Sequence, residues 1–385
     1  MELYDLVNPA ERLLAKKADL MHVPLGGTME LTPLCNMNCR MCYIRLSSEQ
    51  MIARGRMLSC DEWLHIAEEA RENGVLYLLL TGGEPLLFPE FERLYCALSD
   101  MGFILTINTN GTLINTHIAD VLARRPCKRL NLTLYGPDNE TYMRLCQNPK
   151  GFSQIMHAAA LLKERGLIFR FNCSVTPDNK DSLEKITDVA KSFEVPLEVS
   201  SYMFPPVHRG VLATDYLRLS PKQAARSQLD SYLFRAAPRD VHAAVINTLN
   251  LIRTTEQIEK YMQNPQSAHL TCRAGRSGFW INWKGELLPC GMFEEPKINL
   301  LTHPFDDAWS YIVEKSSEIR SCEECRSCAK QKLCMSCSAS CLSETGSFTE
   351  RPDYLCRMTD ELIRILLEKL SEDERKVYEM RLSHG

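Results

Sequence analysis

Short apolar segments alternate with amphipathic segments through the first half of the chain, between residues 27 and 201. The strand-like segments lie at 28–32, 76–81, 103–108, 129–134, 168–175 and 197–201. Helix-like segments with a period near 3.6 lie between them, at 59–73, 89–100, 115–124, 152–165 and 181–193. Strands that alternate with helices predict a parallel sheet with right-handed crossovers. Six such units are fewer than a closed eight-stranded barrel needs, so the pattern predicts an α/β fold, a partial (β/α)6 TIM-like barrel.

The predicted strands have one polar face, which is unusual for buried parallel strands. The polar positions are Glu30, Thr32, Thr106, Asn108, Asn131, Thr133, Arg170, Asn172 and Ser174. The polar faces line either an open cavity or a solvated side of the sheet, and helices between all the strands favour the cavity. Arg170 in such a cavity either binds a carboxylate ligand or forms a structural ion pair, for example with Glu30.

Changes in pattern divide the chain into five segments. They are a lead-in at 1–26 with one helix at 9–20, the partial barrel at 27–201, a helical bridge at 202–271, a cysteine-rich module at 272–358 and a C-terminal helix at 359–385. The cysteine-rich module opens with a predicted hairpin that has Gly285 at its turn.

Composition places the chain among ordinary soluble globular proteins. It has 385 residues, of which 45% are hydrophobic and 24% charged. A net charge of −4 leaves no basic footprint for nucleic acid. We found neither an apolar run long enough for a membrane span nor a signal peptide, so a cytoplasmic location is expected.

Seventeen cysteines need a chemical explanation, because disulfides are rare in reducing compartments. Three lie at Cys35, Cys39 and Cys42, and seven lie between Cys322 and Cys356. The first three have CxxxCxxC spacing directly after the first predicted strand. Thiolates suit both iron–sulfur clusters and zinc, and three of them leave one ligand position to a distant side chain or to an external ligand. The spacing favours an iron–sulfur cluster, with zinc as the alternative.

Other motifs fall at the same edge of the predicted sheet. Gly82-Gly83-Glu84-Pro85 follows the second strand, Asn110-Gly111 the third and Tyr135-Gly136 the fourth. The carboxyl ends of barrel strands carry the chemistry in such folds, so this rim is the predicted site.

These motifs resemble the radical S-adenosylmethionine (radical SAM) superfamily, through CxxxCxxC, Tyr43 directly after it, the Gly-Gly-Glu-Pro loop and Thr109-Asn110-Gly111. The resemblance implies a 4Fe–4S cluster on Cys35, Cys39 and Cys42, with SAM on the open iron. It implies reductive cleavage of SAM to a 5′-deoxyadenosyl radical that abstracts hydrogen from a substrate. The cofactor-binding residues it implies are Gly82, Gly83, Glu84, Asn110, Thr133 and Asn172. The first three correspond to the loop that holds the methionine amino group. Tyr135 departs from the aspartate common at its position and receives no role.

The cysteine-rich module resembles the SPASM extension of that superfamily, which carries auxiliary 4Fe–4S clusters. By analogy, one cluster would be held by Cys325, Cys328, Cys334 and Cys356, and the other by Cys272, Cys290 and Cys337. Some relatives have a further cysteine where this chain has Gly278. The second set therefore keeps an open iron unless Cys322 or Cys341 completes it, and a pair of zinc knuckles is the alternative.

The resemblance implies an enzyme acting on a peptide or protein, and we favour a ribosomal-peptide maturase that cross-links, epimerises or oxidises its substrate. Its partners would include an electron donor such as flavodoxin or ferredoxin. They would also include a separate leader-binding protein, because residues 1–26 are too few for a fused leader-binding domain. The alternatives are a radical SAM enzyme for a small molecule, such as a tetrapyrrole or cofactor precursor, and a non-catalytic metal-binding protein. No catalytic residue is assigned.

Overall fold

The computed structural model describes residues 9–205, 217–235 and 238–383. Its strands are β1 (Gly26–Glu30), β2 (Tyr77–Thr81), β3 (Ile104–Thr109), β4 (Arg129–Thr133), β5 (Phe169–Ser174), β6 (Leu197–Ser200), β7 (Gly278–Ile281), β8 (Glu286–Leu288) and β9 (Ile298–Asn299). They form a single sheet in the order β6-β5-β4-β3-β2-β1-β7-β8-β9. Every pair from β6 to β7 is parallel, whereas β8 pairs antiparallel with both of its neighbours.

Helices cover the outer face of this sheet and continue into the second half. They are α1 (Pro9–Met21), α2 (Ser48–Arg54), α3 (Cys60–Glu72), α4 (Phe91–Asp100), α5 (Thr116–Arg124), α6 (Asn139–Cys146), α7 (Gly151–Glu164), α8 (Leu183–Phe193), α9 (Pro221–Arg235), α10 (Val241–Leu249), α11 (Thr255–Met262), α12 (Phe305–Glu318), α13 (Glu323–Ser327), α14 (Ser338–Thr345), α15 (Asp353–Leu367) and α16 (Glu372–Ser383). Within the described ranges, none of them combines the length and apolar character needed to cross a membrane.

Local sequence signals explain where the helices begin and end. Ser59 caps α3 and exchanges hydrogen bonds with Glu62, the capping box expected from the sequence. The predicted single C-terminal helix is wrong, because the chain forms α15 and α16 there. Ser371 donates both its backbone N–H and its hydroxyl to Glu374, which starts a new helix at that point.

The two faces of β1 differ as the sequence predicts. Met29 and Leu31 are fully buried in the main hydrophobic core. Thr28 and Glu30 point to the opposite face, yet they are only 1% and 3% exposed. At β1 the polar face is buried rather than solvated, so we assign the polar positions to the barrel interior.

The register aligns this polar face across the sheet. Glu30 lies beside Thr81, and Asn131 lies between Asn108 and Arg170. The Nδ2 atom of Asn131 donates to Oδ1 of Asn108 at 2.6 Å. The barrel interior therefore contains a hydrogen-bonded polar layer, which we call the luminal layer.

The seventh strand comes from the cysteine-rich module and pairs in parallel with β1. The predicted hairpin is therefore present as β7 and β8, and it also extends the barrel sheet, which its local sequence does not indicate. A Cβ atom at Gly27 would lie 2.0 Å from the ring of Phe279, so glycine is required where β7 packs against β1. The barrel and the module share one sheet.

Candidate active site

The three cysteines after β1 lie in a loop whose backbone and side chains direct donors at sulfur. The backbone N–H of Met37 donates to Cys35 Sγ at 3.4 Å, and that of Arg45 donates to Cys42 Sγ at 3.3 Å. Nδ2 of Asn110 lies 3.6 Å from Cys35 Sγ. Hydrogen bonds to sulfur are among the means by which proteins stabilise and tune thiolate-bound clusters.

Electrostatics in this loop also fits a metal cluster. Burial, together with negative charge on Glu84, Cys39 and Cys42, raises the pKa of the Cys35 thiol to about 12. These thiols would become thiolates only when a metal displaces their protons. In the described part of the chain, no three metal-binding side chains converge closely enough for a single ion. Three thiols in one loop are the kind of donor set that iron–sulfur clusters use.

Cys39 has a neighbour that the sequence did not reveal. Its thiol hydrogen-bonds with Cys146, which is fully buried at the end of α6, and this contact is the main reason that the pKa of Cys39 is raised. The place of Cys146 on α6 is not predictable from spacing, because more than one hundred residues separate the two thiols.

The Gly-Gly-Glu-Pro loop packs directly against the chain that leads into the cysteines. The N–H of Gly83 donates to Thr32 O at 2.7 Å, and that of Glu84 donates to Leu34 O at 2.9 Å. Gly82 has a φ of +155°. A Cβ atom would lie 2.4 Å from Thr32 O if added at Gly82, and 2.3 Å from Leu34 O if added at Gly83. Two motifs that are separate in sequence therefore form one backbone unit.

Glu84 has its carboxylate bound within the protein. Oε1 accepts from the Thr109 hydroxyl at 2.7 Å and from the Leu86 N–H at 3.1 Å, and Oε2 accepts from the Asn110 N–H at 2.7 Å. Full burial raises its pKa to about 7, against these hydrogen bonds. Its side chain thus ties the end of β2 to the end of β3, while its predicted contact with a methionine amino group stays a prediction.

Asn110 stabilises the cysteine loop from the end of β3. Its Nδ2 donates to Asn36 Oδ1 at 2.8 Å, while its Oδ1 accepts from the backbone and the hydroxyl of Thr112. The described contacts of Asn110 therefore explain why this residue type follows β3. Its contact with a cofactor remains a prediction.

Thr133 and Asn172 are adjacent in the register of β4 and β5 on the polar face. The buried Oδ1 atom of Asn172 has no hydrogen-bond partner among the described residues. A buried polar atom without a partner is costly, so this oxygen is free to contact a ligand.

Glu30 is a luminal residue that the sequence identified only as a possible ion-pair partner. Its Oε2 accepts the indole N–H of Trp280 at 3.0 Å, and its Oε1 has no hydrogen-bond partner in the described chain. Burial raises its pKa to about 7. The Thr28 hydroxyl, on the same face, also lacks a partner. These groups form a second polar site inside the barrel.

The contacts of Arg170 indicate a structural ion pair rather than a site for a carboxylate ligand. Its Nε donates to Asn131 Oδ1 at 2.9 Å, and its Nη1 lies 3.9 Å from a carboxylate oxygen of Glu198. Arg129 donates to the same Asn131 oxygen at 2.9 Å. Of the two roles left open for Arg170, the structure shows the ion pair, with Glu198 rather than Glu30 as its carboxylate.

The cysteines of the second half gather in two groups. Burial, together with negative charge on nearby Cys272 and Cys337, raises the pKa of Cys290 to about 12. Burial also raises the pKa of Cys356 to about 11, with contributions from Cys334, Cys325 and Cys328. The structure thus brings together the same two sets that the resemblance implied.

Cys322 and Cys341 lie beside Cys325, a member of the set with four cysteines. Cys325 hydrogen-bonds with both of them, and the contact with Cys341 is the main reason that its pKa is raised. Both thiols are buried. They therefore flank the Cys325 set.

Comparison with known proteins identifies the first half of the chain. Residues 29–190 match the Radical SAM superfamily. The chain carries a radical SAM domain. The predicted superfamily, the partial-barrel fold and the enzymatic character are thereby confirmed, and a 4Fe–4S cluster and SAM are the cofactors that the superfamily implies.

Curated relatives extend the radical SAM match in different ways. An AdoMet-dependent heme synthase of Methanosarcina barkeri is 27% identical over 339 residues, which covers 84% of this chain and 94% of the relative. A PqqA peptide cyclase of Granulibacter bethesdensis is 28% identical over 169 residues, which covers 44% of each.

Solved structures share the radical SAM fold over nearly the whole chain. The enzyme anSMEcpe with bound AdoMet has a TM-score of 0.66 at 19% identity, covering 92% of this chain and 100% of that one. Streptococcus suis SuiB bound to S-adenosylmethionine has a TM-score of 0.60 at 20% identity, covering 92% and 82%. Identities this low show a shared fold alone.

Proposed function

We propose that this radical SAM enzyme abstracts a hydrogen atom from a peptide or protein, as a maturase that cross-links, epimerises or oxidises it. When bound, the cluster and SAM supply an electron and a 5′-deoxyadenosyl radical. Cys35, Cys39 and Cys42 would hold the cluster. Gly82 and Gly83 let their loop pack directly against the chain that leads into these cysteines.

The remaining rim residues would hold SAM. Asn110 keeps the cysteine loop in place, while Thr133 and the partnerless oxygen of Asn172 offer hydrogen bonds inside the barrel. Glu84 would act by fixing the loop between β2 and β3. An electron donor such as a flavodoxin or ferredoxin and a separate leader-binding protein belong to this proposal.

The luminal layer supports a peptide substrate. Its side chains are amides, hydroxyls, guanidinium groups and carboxylates, with partnerless oxygens at Glu30, Thr28 and Asn172. A peptide backbone presents N–H and C=O groups at regular intervals and can satisfy such a lining. A tetrapyrrole precursor carries several carboxylates around its ring, so the guanidinium groups of this layer also suit the small-molecule alternative.

The two cysteine groups of the second half would hold auxiliary 4Fe–4S clusters. The thiols of Cys325, Cys328, Cys334 and Cys356 provide a complete set, whereas Cys272, Cys290 and Cys337 provide three. Cys322 and Cys341 lie with the complete set. The three-thiol set would therefore keep an open iron. Mössbauer spectra showing full thiolate ligation of both auxiliary clusters would contradict this assignment.

Anaerobic reconstitution tests the chemistry. Three clusters predict roughly twelve irons per chain and reductive cleavage of SAM to 5′-deoxyadenosine. Cys42→Ala should abolish cleavage, because it removes a ligand of the SAM-binding cluster. Cys334→Ala should lower the iron content by about four and leave some uncoupled cleavage without product. Zinc in place of iron, or full cleavage by Cys42→Ala, would refute the proposal.

A small-molecule substrate is the second candidate, and the full-length relatives favour it. Three AdoMet-dependent heme synthases, at 23–27% identity, align over 82–84% of this chain. The reconstituted protein should be incubated with a short peptide encoded beside its gene, and separately titrated with heme. A mass change in the peptide supports the maturase. A saturable shift of the heme Soret band without any peptide product supports the alternative.

A further inference from the structure

A buried arginine side chain, that of Arg253, lies beside the group of cysteines that contains Cys325 and Cys328. Arg253 follows α10 in the helical bridge and is only 2% exposed. Its Nη2 donates to the carbonyl oxygens of Arg326 at 2.7 Å and Cys328 at 2.6 Å. Its backbone N–H donates to Ala329 O at 2.9 Å. The side chain thus reaches from the bridge onto the loop that contains Cys328.

Some hydrogen-bond donors of the Arg253 guanidinium have no acceptor among the described residues. Its Nε and Nη1 groups are buried and have no hydrogen-bond partner there. Its charge instead meets the ring of Tyr261, whose centroid is 4.8 Å away. Burial lowers the pKa of Arg253, and negative charge on Tyr261 and Cys328 opposes this effect. An unmatched buried donor is energetically costly, so a partner is expected.

A bound iron–sulfur cluster has the properties of that missing partner. Its thiolates and sulfides are anionic hydrogen-bond acceptors, and Cys328 is one of its proposed ligands. Hydrogen bonds and charge around the sulfurs are known determinants of cluster reduction potentials. A neighbouring positive charge favours the form that carries one more electron, because that form is one charge more negative.

We propose that Arg253 is a positioning residue that stabilises the reduced form of the auxiliary cluster on Cys325, Cys328, Cys334 and Cys356 and raises its reduction potential. This inference rests on the proposed auxiliary clusters. The electron that reduces the cluster comes from the donor of the proposed function, or from dithionite in the test. No bond to Arg253 forms or breaks.

The test compares Arg253→Lys, which keeps the charge, with Arg253→Gln, which removes it. Both are made in full-length protein that also carries alanine at Cys35, Cys39 and Cys42, so that only auxiliary clusters give signals. Iron is counted, and dithionite titrations are followed by EPR. Arg253→Gln should lower the midpoint potential of one cluster, and Arg253→Lys should shift it less. The other auxiliary cluster is an internal control and should not shift.

Arg218→Lys provides a matched control. Arg218 is half-buried, but Glu344 already neutralises it through a bidentate pair at 2.5 and 3.0 Å. Its replacement by lysine should leave both potentials unchanged.

Equal shifts in the lysine and glutamine variants would overturn the inference, since the charge would not be responsible. Loss of cluster iron from both variants would also overturn it, because Arg253 would then only hold the loop. If the parent protein, with those three alanines, holds no auxiliary iron, the proposed clusters themselves are wrong. Iron counting in the parent therefore separates the two failures.

Discussion

Replacing Glu30 by glutamine would remove a carboxyl that the barrel buries at an energetic cost. The carboxyl is 3% exposed and has one hydrogen bond, from Trp280. Desolvation raises its pKa from 4.5 to about 7, outweighing the Trp280 hydrogen bond and the more distant charge of Lys284. Glutamine has nearly the same shape and can still accept from the indole. The substitution therefore mainly removes the ionisation.

The magnitude follows from the pKa difference between the folded and unfolded chains. At 1.36 kcal/mol per pH unit, the rise from 4.5 to about 7 corresponds to about 3 kcal/mol. Because the folded pKa is raised, the favourable contribution is complete below pH 4.5 and is lost as pH rises through about 7. The penalty is about 1 kcal/mol at pH 5.5 and about 3 kcal/mol at pH 8.5. Relative to wild type, the free energy of unfolding of Glu30→Gln should therefore rise by about 2 kcal/mol from pH 5.5 to pH 8.5.

Urea unfolding of both chains at pH 5.5 and 8.5, followed by tryptophan fluorescence, measures this difference. Glu62→Gln is the control, because its partner Arg56 lowers the pKa of Glu62 to about 2. That carboxylate is ionised at both pH values, so its removal should have the same effect at each. A Glu30→Gln effect that does not depend on pH would refute the reasoning, and so would destabilisation that grows at pH 8.5.

Two further substitutions test the packing of the site and of the second half. Gly83→Ala should abolish the SAM-dependent change in the EPR signal while the far-UV circular dichroism is retained, since its Cβ would lie 2.3 Å from Leu34 O. An unchanged EPR response would contradict the close approach. Arg218→Met should lower the free energy of unfolding by roughly 3–5 kcal/mol, because it leaves the buried Glu344 carboxylate without its counter-ion, although the Tyr202 hydroxyl still donates to it. A free energy of unfolding within about 1 kcal/mol of the wild-type value would show that the pair of Arg218 and Glu344 contributes little to stability.

Local sequence patterns predict the parallel half of the fold well. Each predicted strand lies within one or two residues of an observed one, because apolar segments and helix caps such as Ser59 are local signals. The rim motifs follow from the same logic, since the carboxyl ends of parallel strands meet at one edge. The buried polar face was also predictable, because side chains alternate along each strand.

Contacts between distant segments could not be read in this way. The hydrogen bond between Cys39 and Cys146, and the place of Arg253 on the Cys328 loop, join residues that no periodicity connects. The partnerless oxygen of Glu30 also depends on three-dimensional surroundings. Such features need the packed structure, because composition and spacing carry no information about which loops meet.

The pairing of β7 with β1 shows that the cysteine-rich module belongs to the barrel. This pairing places Trp280 beside Thr28, from where its indole N–H reaches Glu30. Burial raises the pKa of Tyr43, and negative charge on Cys42, Glu30 and Cys290 adds to the rise, so the two cysteine regions meet at this residue.

A truncated chain that ends at residue 271 tests whether the barrel needs the cysteine-rich module. It would lose β7, expose the edge of β1 and leave Glu30 without its Trp280 hydrogen bond. Exposed strand edges pair with other chains, so the shortened protein should aggregate or elute as oligomers in size-exclusion chromatography. A full-length Cys272→Ala/Cys290→Ala variant is the control, since it lacks thiols but keeps β7 and should stay monodisperse if wild type does. A monodisperse, folded fragment that cleaves SAM would show that the barrel is complete without β7.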